Sequence, residues 1–132
     1  MIIKIYADGA CSGNPGPAGA GVFMKYGEHT KEFSVYLGKQ TNNIAELAAV
    51  KIGLENLKVY DIPIQIFTDS QYSIGVLSLG WKAKANLELI KEIKQLMDKF
   101  TMIEFIKVKG HSGEYGNEIV DKLAVKAYQP YI

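Results

Sequence analysis

Residues 2–8, IIKIYAD, alternate apolar and polar positions at the period of a strand and end on a carboxylate, Asp8. A loop of glycine, proline and small polar residues follows at once. Two more strand-like runs, 19–27 and 30–39, are joined through Gly27-Glu28-His29, the pattern of an antiparallel meander. From residue 43 to 58, Leu47, Val50, Leu54 and Leu57 recur at helical spacing. Residues 63–69, PIQIFTD, predict a short strand that again ends on an acid, Asp69. A brief helix over 70–77 stops near Gly80, and an amphipathic helix over 87–99 carries Leu89, Ile93 and Leu96 on one face. Residues 103–109 alternate once more, and a glycine-rich loop, 110–116, precedes a last helix over 117–128, stopped by Pro130.

The order βββαβααβα predicts an α/β fold with a mixed five-stranded sheet: a three-stranded antiparallel meander and two parallel additions, flanked by helices. Strands separated by helices pair in parallel through right-handed crossovers. In such sheets ligands bind beyond the carboxyl ends of the strands, where the strand order reverses. With strands 1 and 4 adjacent, Asp8 and Asp69 stand side by side at one crevice.

Four acids have competing local explanations. Asp8 fits an Asx turn and Asp69 an N-cap for the next helix. Glu46 shares a helical stripe with Val50 and Leu57 and so points inward, yet Asn43-x-x-Glu46 also has the form of a capping box. Asp121 sits one turn before Ala124 and Val125, and a surface carboxylate paired with a nearby lysine is the alternative for it. Taken together, four carboxylates around one crevice suit a hard cation with oxygen ligands, Mg²⁺ or Mn²⁺. Two such ions about 3.5–4 Å apart would clamp the attacking and leaving oxygens of a phosphodiester displacement.

Composition narrows the field. At 132 residues, with 48% hydrophobic and 22% charged residues, the chain reads as one ordinary globular domain, 1–132. Its apolar runs fall short of the roughly 20 residues that span a bilayer, and no signal peptide is evident. A cytoplasmic location without membrane partners is expected. The single Cys11 excludes an internal disulfide, and Cys11, His29 and His111 are too few for a zinc site of thiolates and imidazoles. Neither a P-loop GKS or GKT nor a Gly-x-Gly-x-x-Gly fingerprint is present.

The net charge is only +1, but all 15 basic residues are lysine. With the four acids set aside, ten of the 14 acidic residues oppose those 15 lysines, a surplus of +5 available to a polyanion.

The segments DGACSGNPG (8–16), TNNIAEL (41–47), TDSQY (68–72), GWK (80–82) and VKGHSGEYGNEIVDKLA (108–124) closely resemble the motifs of the type 1 ribonucleases H. That family cuts the RNA strand of RNA–DNA hybrids, and its fold agrees with the one read from periodicity. The resemblance implies endonucleolytic, two-metal hydrolysis giving 5′-phosphate and 3′-hydroxyl products. It implies an acidic quartet at Asp8, Glu46, Asp69 and Asp121, with Asp8 bridging two Mg²⁺ ions (Mn²⁺ as a substitute). His111 matches a histidine assisting proton transfer or product release. Asn14, Asn42, Asn43 and Gln71 match residues that read the minor groove, Thr41 with Asn14 matches part of a DNA-phosphate pocket, and Trp81 offers a further substrate contact.

The family's bacterial members often carry a basic helix and loop after GWK, which this chain lacks, and an arginine that some relatives place in the phosphate pocket has no counterpart here. A monomer acting independently of a longer protein is expected. The rival readings are a hybrid-binding module without chemistry, a domain of a longer reverse transcriptase, and a same-fold nuclease acting on DNA.

Overall fold

The computed structural model describes residues 1–109 and 115–132. Strands β1 (Ile3–Cys11), β2 (Gly16–Tyr26) and β3 (His29–Gln40) form the antiparallel meander, and β4 (Ile64–Thr68) and β5 (Ile103–Lys107) extend it in parallel. The sheet order is β3-β2-β1-β4-β5, so β1 and β4 are neighbours, as the periodicity predicts. Helices α1 (Asn42–Glu55), α2 (Gln71–Ser78), α3 (Leu87–Met97) and α4 (Tyr115–Tyr128) flank it, and a final turn covers Gln129–Tyr131.

The alternation in β1 sets the two layers. Ile3, Ile5 and Ala7 face a core shared with Leu47, Val50 and Leu54 of α1 and Ile90 and Ile93 of α3. Each fully buried aliphatic side chain there contributes about 1.5–3 kcal/mol of transfer free energy. On the other face lies α4. It can come down onto β2 because Gly19 and Gly21 have no side chains; a Cβ at either would run into the backbone of Ala124 or Val120. Tyr6 stacks on Phe67, with ring centroids 4.5 Å apart, beneath the start of α4, where Gly116 lies against the Tyr6 ring.

Asp8 does not end its strand. β1 stays paired with β2 through Cys11, opposite Ala18, while its pairing with β4 stops at Tyr6 opposite Phe67. The sheet therefore splits just ahead of Asp8, and β1 runs on alone with β2. The small residues that follow have an internal reason as well. A Cβ on Gly9 would collide with the backbone of Ala45 and Glu46, so Gly9 is the place where α1 crosses β1. Close approach by a substrate is not needed to explain it.

Candidate active site

The register explains how acids from β1, α1, α4 and the β4–α2 connection meet. Asp8 stands opposite Gly21, and Gly21 is where α4 touches the sheet through Val120 and Ala124. Asp121 is thereby lowered toward Asp8, and the Asp8 carboxyl makes side-chain hydrogen bonds with both Asp121 and Glu46. From the other layer, α1 crosses at Gly9, whose N–H donates to Glu46 Oε2 at 3.2 Å. Asp69 follows the end of β4, beside the split in the sheet.

Carboxylate oxygens of Asp8, Glu46 and Asp69 all lie within 4.8 Å of one another. Asp121 lines, with Asp8, Asp69, Asn117, Glu118 and Lys122, a cavity of about 290 Å³ beside them.

The local alternatives for these acids are taken by other residues. Thr41 caps α1, its side chain accepting from the Ile44 N–H at 3.3 Å, so Glu46 lies beyond any capping box. Ser70 caps α2, accepting from the Ser73 N–H at 3.1 Å, so Asp69 is not the cap. Asp8 is strand rather than turn. No ion pair of Asp121 with lysine occurs among the described residues, where Lys51–Glu92 is the pair formed.

Electrostatics makes the cluster expensive. Burial, followed by the charges of Asp69 and Asp121, pushes the Asp8 carboxyl up to about 8. Burial, followed by Asp8 and Asp69, pushes Glu46 up to about 10 despite the hydrogen bond from Gly9. Without a cation these carboxyls must share protons. A divalent ion would replace those protons, and a donor set made only of carboxylate oxygen matches a hard cation rather than zinc or copper. The residues fit the ion implied by the sequence.

Other expected contacts gather at the start of α1. The Asn42 N–H donates to Asn14 Oδ1 at 3.0 Å, and the Cys11 thiol lies 3.0 Å from Asn42 Oδ1. Asn14, Asn42 and Asn43 are exposed beside Thr41. Gln71, also exposed, is the first residue of α2, where Lys107 Nζ donates to its Oε1 at 3.5 Å. Trp81 is 45% exposed and lies over Gly75 on α2. His111 lies outside the described residues. The sequence reading passed over Asn117, Glu118 and Lys122 as cavity residues. Their spacing around Asp121, on one helical stripe, carries the signal.

The whole arrangement can be set beside known proteins. The family model described as RNase H matches residues 2–129. The chain is 42% identical to a ribonuclease H of Trichodesmium erythraeum over 96% of its own length and 88% of the relative's. It is 41% identical to a ribonuclease H of Desulforamulus reducens, covering 95% and 86%. Among solved structures, RNase H1 of the archaeon Halobacterium salinarum superposes with a TM-score of 0.81 at 28% identity, covering 96% of this chain and 97% of that one. LC11-RNase H1, isolated from compost and solved in complex with an RNA/DNA hybrid, superposes with a TM-score of 0.80 at 30% identity, covering 95% and 98%.

Proposed function

The chain belongs to the RNase H family, and from that premise we propose that it hydrolyses the RNA strand of RNA–DNA hybrids. It cuts internally and leaves 5′-phosphate and 3′-hydroxyl ends. The observation that carries this reading is the gathering of Asp8, Glu46 and Asp69 within 4.8 Å, with Asp121 lining the cavity beside Asp8. A solved relative, LC11-RNase H1, holds an RNA/DNA hybrid.

Two Mg²⁺ ions, or Mn²⁺ in their place, held by these carboxylates would supply Lewis-acid stabilisation of charge on the phosphate oxygens. Asp8, which interacts with acids on both sides, would be the ligand common to both ions. Glu46 and Asp69 would help hold an ion toward the leaving group, and Asp121 one toward the attacking water. His111 assists proton transfer or product release.

The rim recognises the substrate. Asn42 Oδ1 is engaged by Cys11 and Asn14 Oδ1 by the Asn42 N–H, which leaves the two amide NH₂ groups as donors. Donors without sequence preference suit 2′-hydroxyl oxygens and minor-groove acceptors, and Asn43 and Gln71 extend the set. Thr41 and Asn14 stand at the N-terminus of α1, where the helix dipole favours a phosphate of the DNA strand. Trp81 packs against the duplex further along.

No helix among the described residues is long and apolar enough to cross a membrane. Residues 1–132 are read as a single domain, acting as a monomer on cytoplasmic hybrids.

The test is a substrate panel with Mg²⁺: labelled hybrid, duplex DNA and duplex RNA. Only the RNA of the hybrid is cut, and Asp8→Asn abolishes cleavage while keeping hybrid binding. Near wild-type cutting by Asp8→Asn, or a wild-type chain that binds hybrid and leaves it intact, overturns the reading.

A further inference from the structure

Three cross-strand neighbours lie in one row beneath α4. Asp8 of β1 pairs with Gly21 of β2, and Gly21 pairs with Ser34 of β3. Residues directly opposite in antiparallel strands point to the same face, here the face that α4 covers. At Gly21 the sheet offers no side chain, and a Cβ there would run into the backbone of Val120 and Ala124. To one side of that contact Asp121 meets the Asp8 carboxyl. To the other, the Ser34 hydroxyl donates to the Leu123 carbonyl at 2.7 Å.

We propose that Ser34 is a positioning residue for the acid site, a role that rests on the hydrolase reading above: its hydroxyl fixes the roll of α4 about Gly21 and thereby the reach of Asp121 toward Asp8. Three observations support this role. A helix lying on glycine has no side chain beneath it to key its rotation, so the groups on either side must set it. On the Asp8 side the charge of Asp121 acts against that of Asp8. With both ionised, that side pushes α4 away until a cation joins the acids. The Ser34 bond is the attraction on the opposite side.

The second observation is proximity. Leu123 follows Asp121 by two residues, about 3 Å of helix rise, so little helix lies between them to absorb a shift of the Leu123 carbonyl. That carbonyl has two lone pairs, enough for a helix bond and for Ser34 together.

The third observation is repetition. The next row on the same face is Ala10, Gly19 and Tyr36. Again the β2 residue is a glycine under the helix, where a Cβ would meet Ala124 and Ala127. Again β3 supplies the hold: the Tyr36 ring stacks on Tyr131, with centroids 3.6 Å apart and planes 5° from parallel. Tyr131 lies in the turn after α4, so the stack sets where the helix ends. Ser34 sets how the helix is turned at the acid.

The test compares Ser34→Ala with Thr101→Val. The Thr101 hydroxyl donates to the Tyr60 carbonyl at 2.6 Å, at the opposite end of the strands from the acids. Each variant therefore deletes one hydroxyl-to-carbonyl bond, and Thr101→Val is the control for stability. Calorimetric titration with Mn²⁺ reads the acid site without turnover, and steady-state cleavage of a hybrid reads kcat and KM. Ser34→Ala weakens Mn²⁺ binding about tenfold and lowers kcat about tenfold, the lower end of what outer-shell partners of a metal site contribute. KM stays within about twofold, because the substrate rim stands on α1 and α2. Ser34→Thr keeps the hydroxyl and restores both values, and Thr101→Val leaves both at the wild-type level.

Wild-type Mn²⁺ affinity and kcat in Ser34→Ala overturn the proposal. So does an equal loss in Thr101→Val, which reports general loosening, and so does Ser34→Thr behaving like Ser34→Ala. A change confined to KM places Ser34 in the binding surface and overturns it too. Cleavage by the wild-type chain reads the hydrolase assignment separately. If the wild type leaves the hybrid intact, that assignment fails, while loss of Mn²⁺ affinity in Ser34→Ala still supports the hold on Asp121.

Discussion

The acid cavity and a lysine-lined groove on α3 stand at opposite extremes of how a fold makes a charged surface. The acid site draws Asp8, Glu46 and Asp121 from three elements and Asp69 from the β4–α2 connection, and Asp8 is only 6% exposed. The groove takes Lys91 and Lys94 from adjacent turns of one helix, both exposed. Gathering buried like charges costs stability and demands exact supporting geometry, whereas solvated lysines cost almost nothing and adjust to what they bind. Chemistry belongs with the first kind of surface. Affinity that any sequence can share belongs with the second.

The comparison is broken most directly at the cavity. Asp69→Asn removes one of the three clustered carboxylates and lowers kcat by roughly 10³-fold, equivalent to about 4 kcal/mol of barrier. Hybrid affinity stays within a few fold, since the rim is intact. Single-turnover cleavage beside equilibrium binding checks both halves. Equal losses in kcat and affinity would mean that Asp69 belongs to the binding surface.

Stability sharpens the contrast. Asp8 and Glu46 hold their protons in the folded state up to about 8 and about 10, against ordinary values of 3.8 and 4.5. Between those limits the folded chain binds more protons than the unfolded one, so stability falls as pH rises. The metal-free protein is thus most favoured by these two groups below about pH 4, and loses stability progressively toward neutrality. Chemical denaturation at several pH values in a chelator reads the slope. Asp8→Asn flattens it and raises stability at neutral pH, and Mg²⁺ offsets the loss in the wild type most strongly at high pH. A metal-free stability that rises from pH 5 to 8 would contradict the cluster's electrostatics.

A smaller effect tests how Asp121 is brought in. Gly21→Ala sets a methyl against the backbone of α4, which must lift or distort, at a cost of about 2–3 kcal/mol. Because Asp121 rides on α4, kcat falls even where the protein remains folded. Lys91→Gln on α3 should leave stability unchanged and serves as the comparison.

How much of this could be read from the chain divides along the same line. Period-2 and helical patterns are local, so the element order, the β1–β4 adjacency and the inward face of Glu46 were legible. The five motifs also gave the quartet its family meaning. The strand end was misjudged because β1 has two neighbours: β4 leaves at Tyr6 while β2 continues to Cys11, and a single strand's alternation does not say which partner stops. Asp8 reaches the crevice all the same, since the split in the sheet serves as the strand end would have. Gly9, Gly19 and Gly21 looked like loop or strand glycines, yet each marks a place where a helix backbone touches the sheet. That role follows from tertiary packing alone. Lys91 and Lys94 stand three residues apart in the chain, but the groove joining them to Trp81 exists only once α2 and α3 are placed.

The mildest intervention probes the boundary between the two kinds of surface. Asn42 is exposed like the lysines but fixed like the acids: its N–H is held by Asn14 and its side-chain oxygen by Cys11. Asn42→Ala keeps the backbone bond to Asn14 and deletes the amide donor, at about 1 kcal/mol for one hydrogen bond to substrate. KM for hybrid should rise roughly fivefold with kcat within about twofold, because the contact exists before and during the reaction alike. Cys11→Ala, which only frees the amide to rotate, should give a smaller rise in the same direction. A fall in kcat without any change in KM would move Asn42 from the rim into the reacting centre, and would show that exposure is the wrong criterion for separating recognition from chemistry in this molecule.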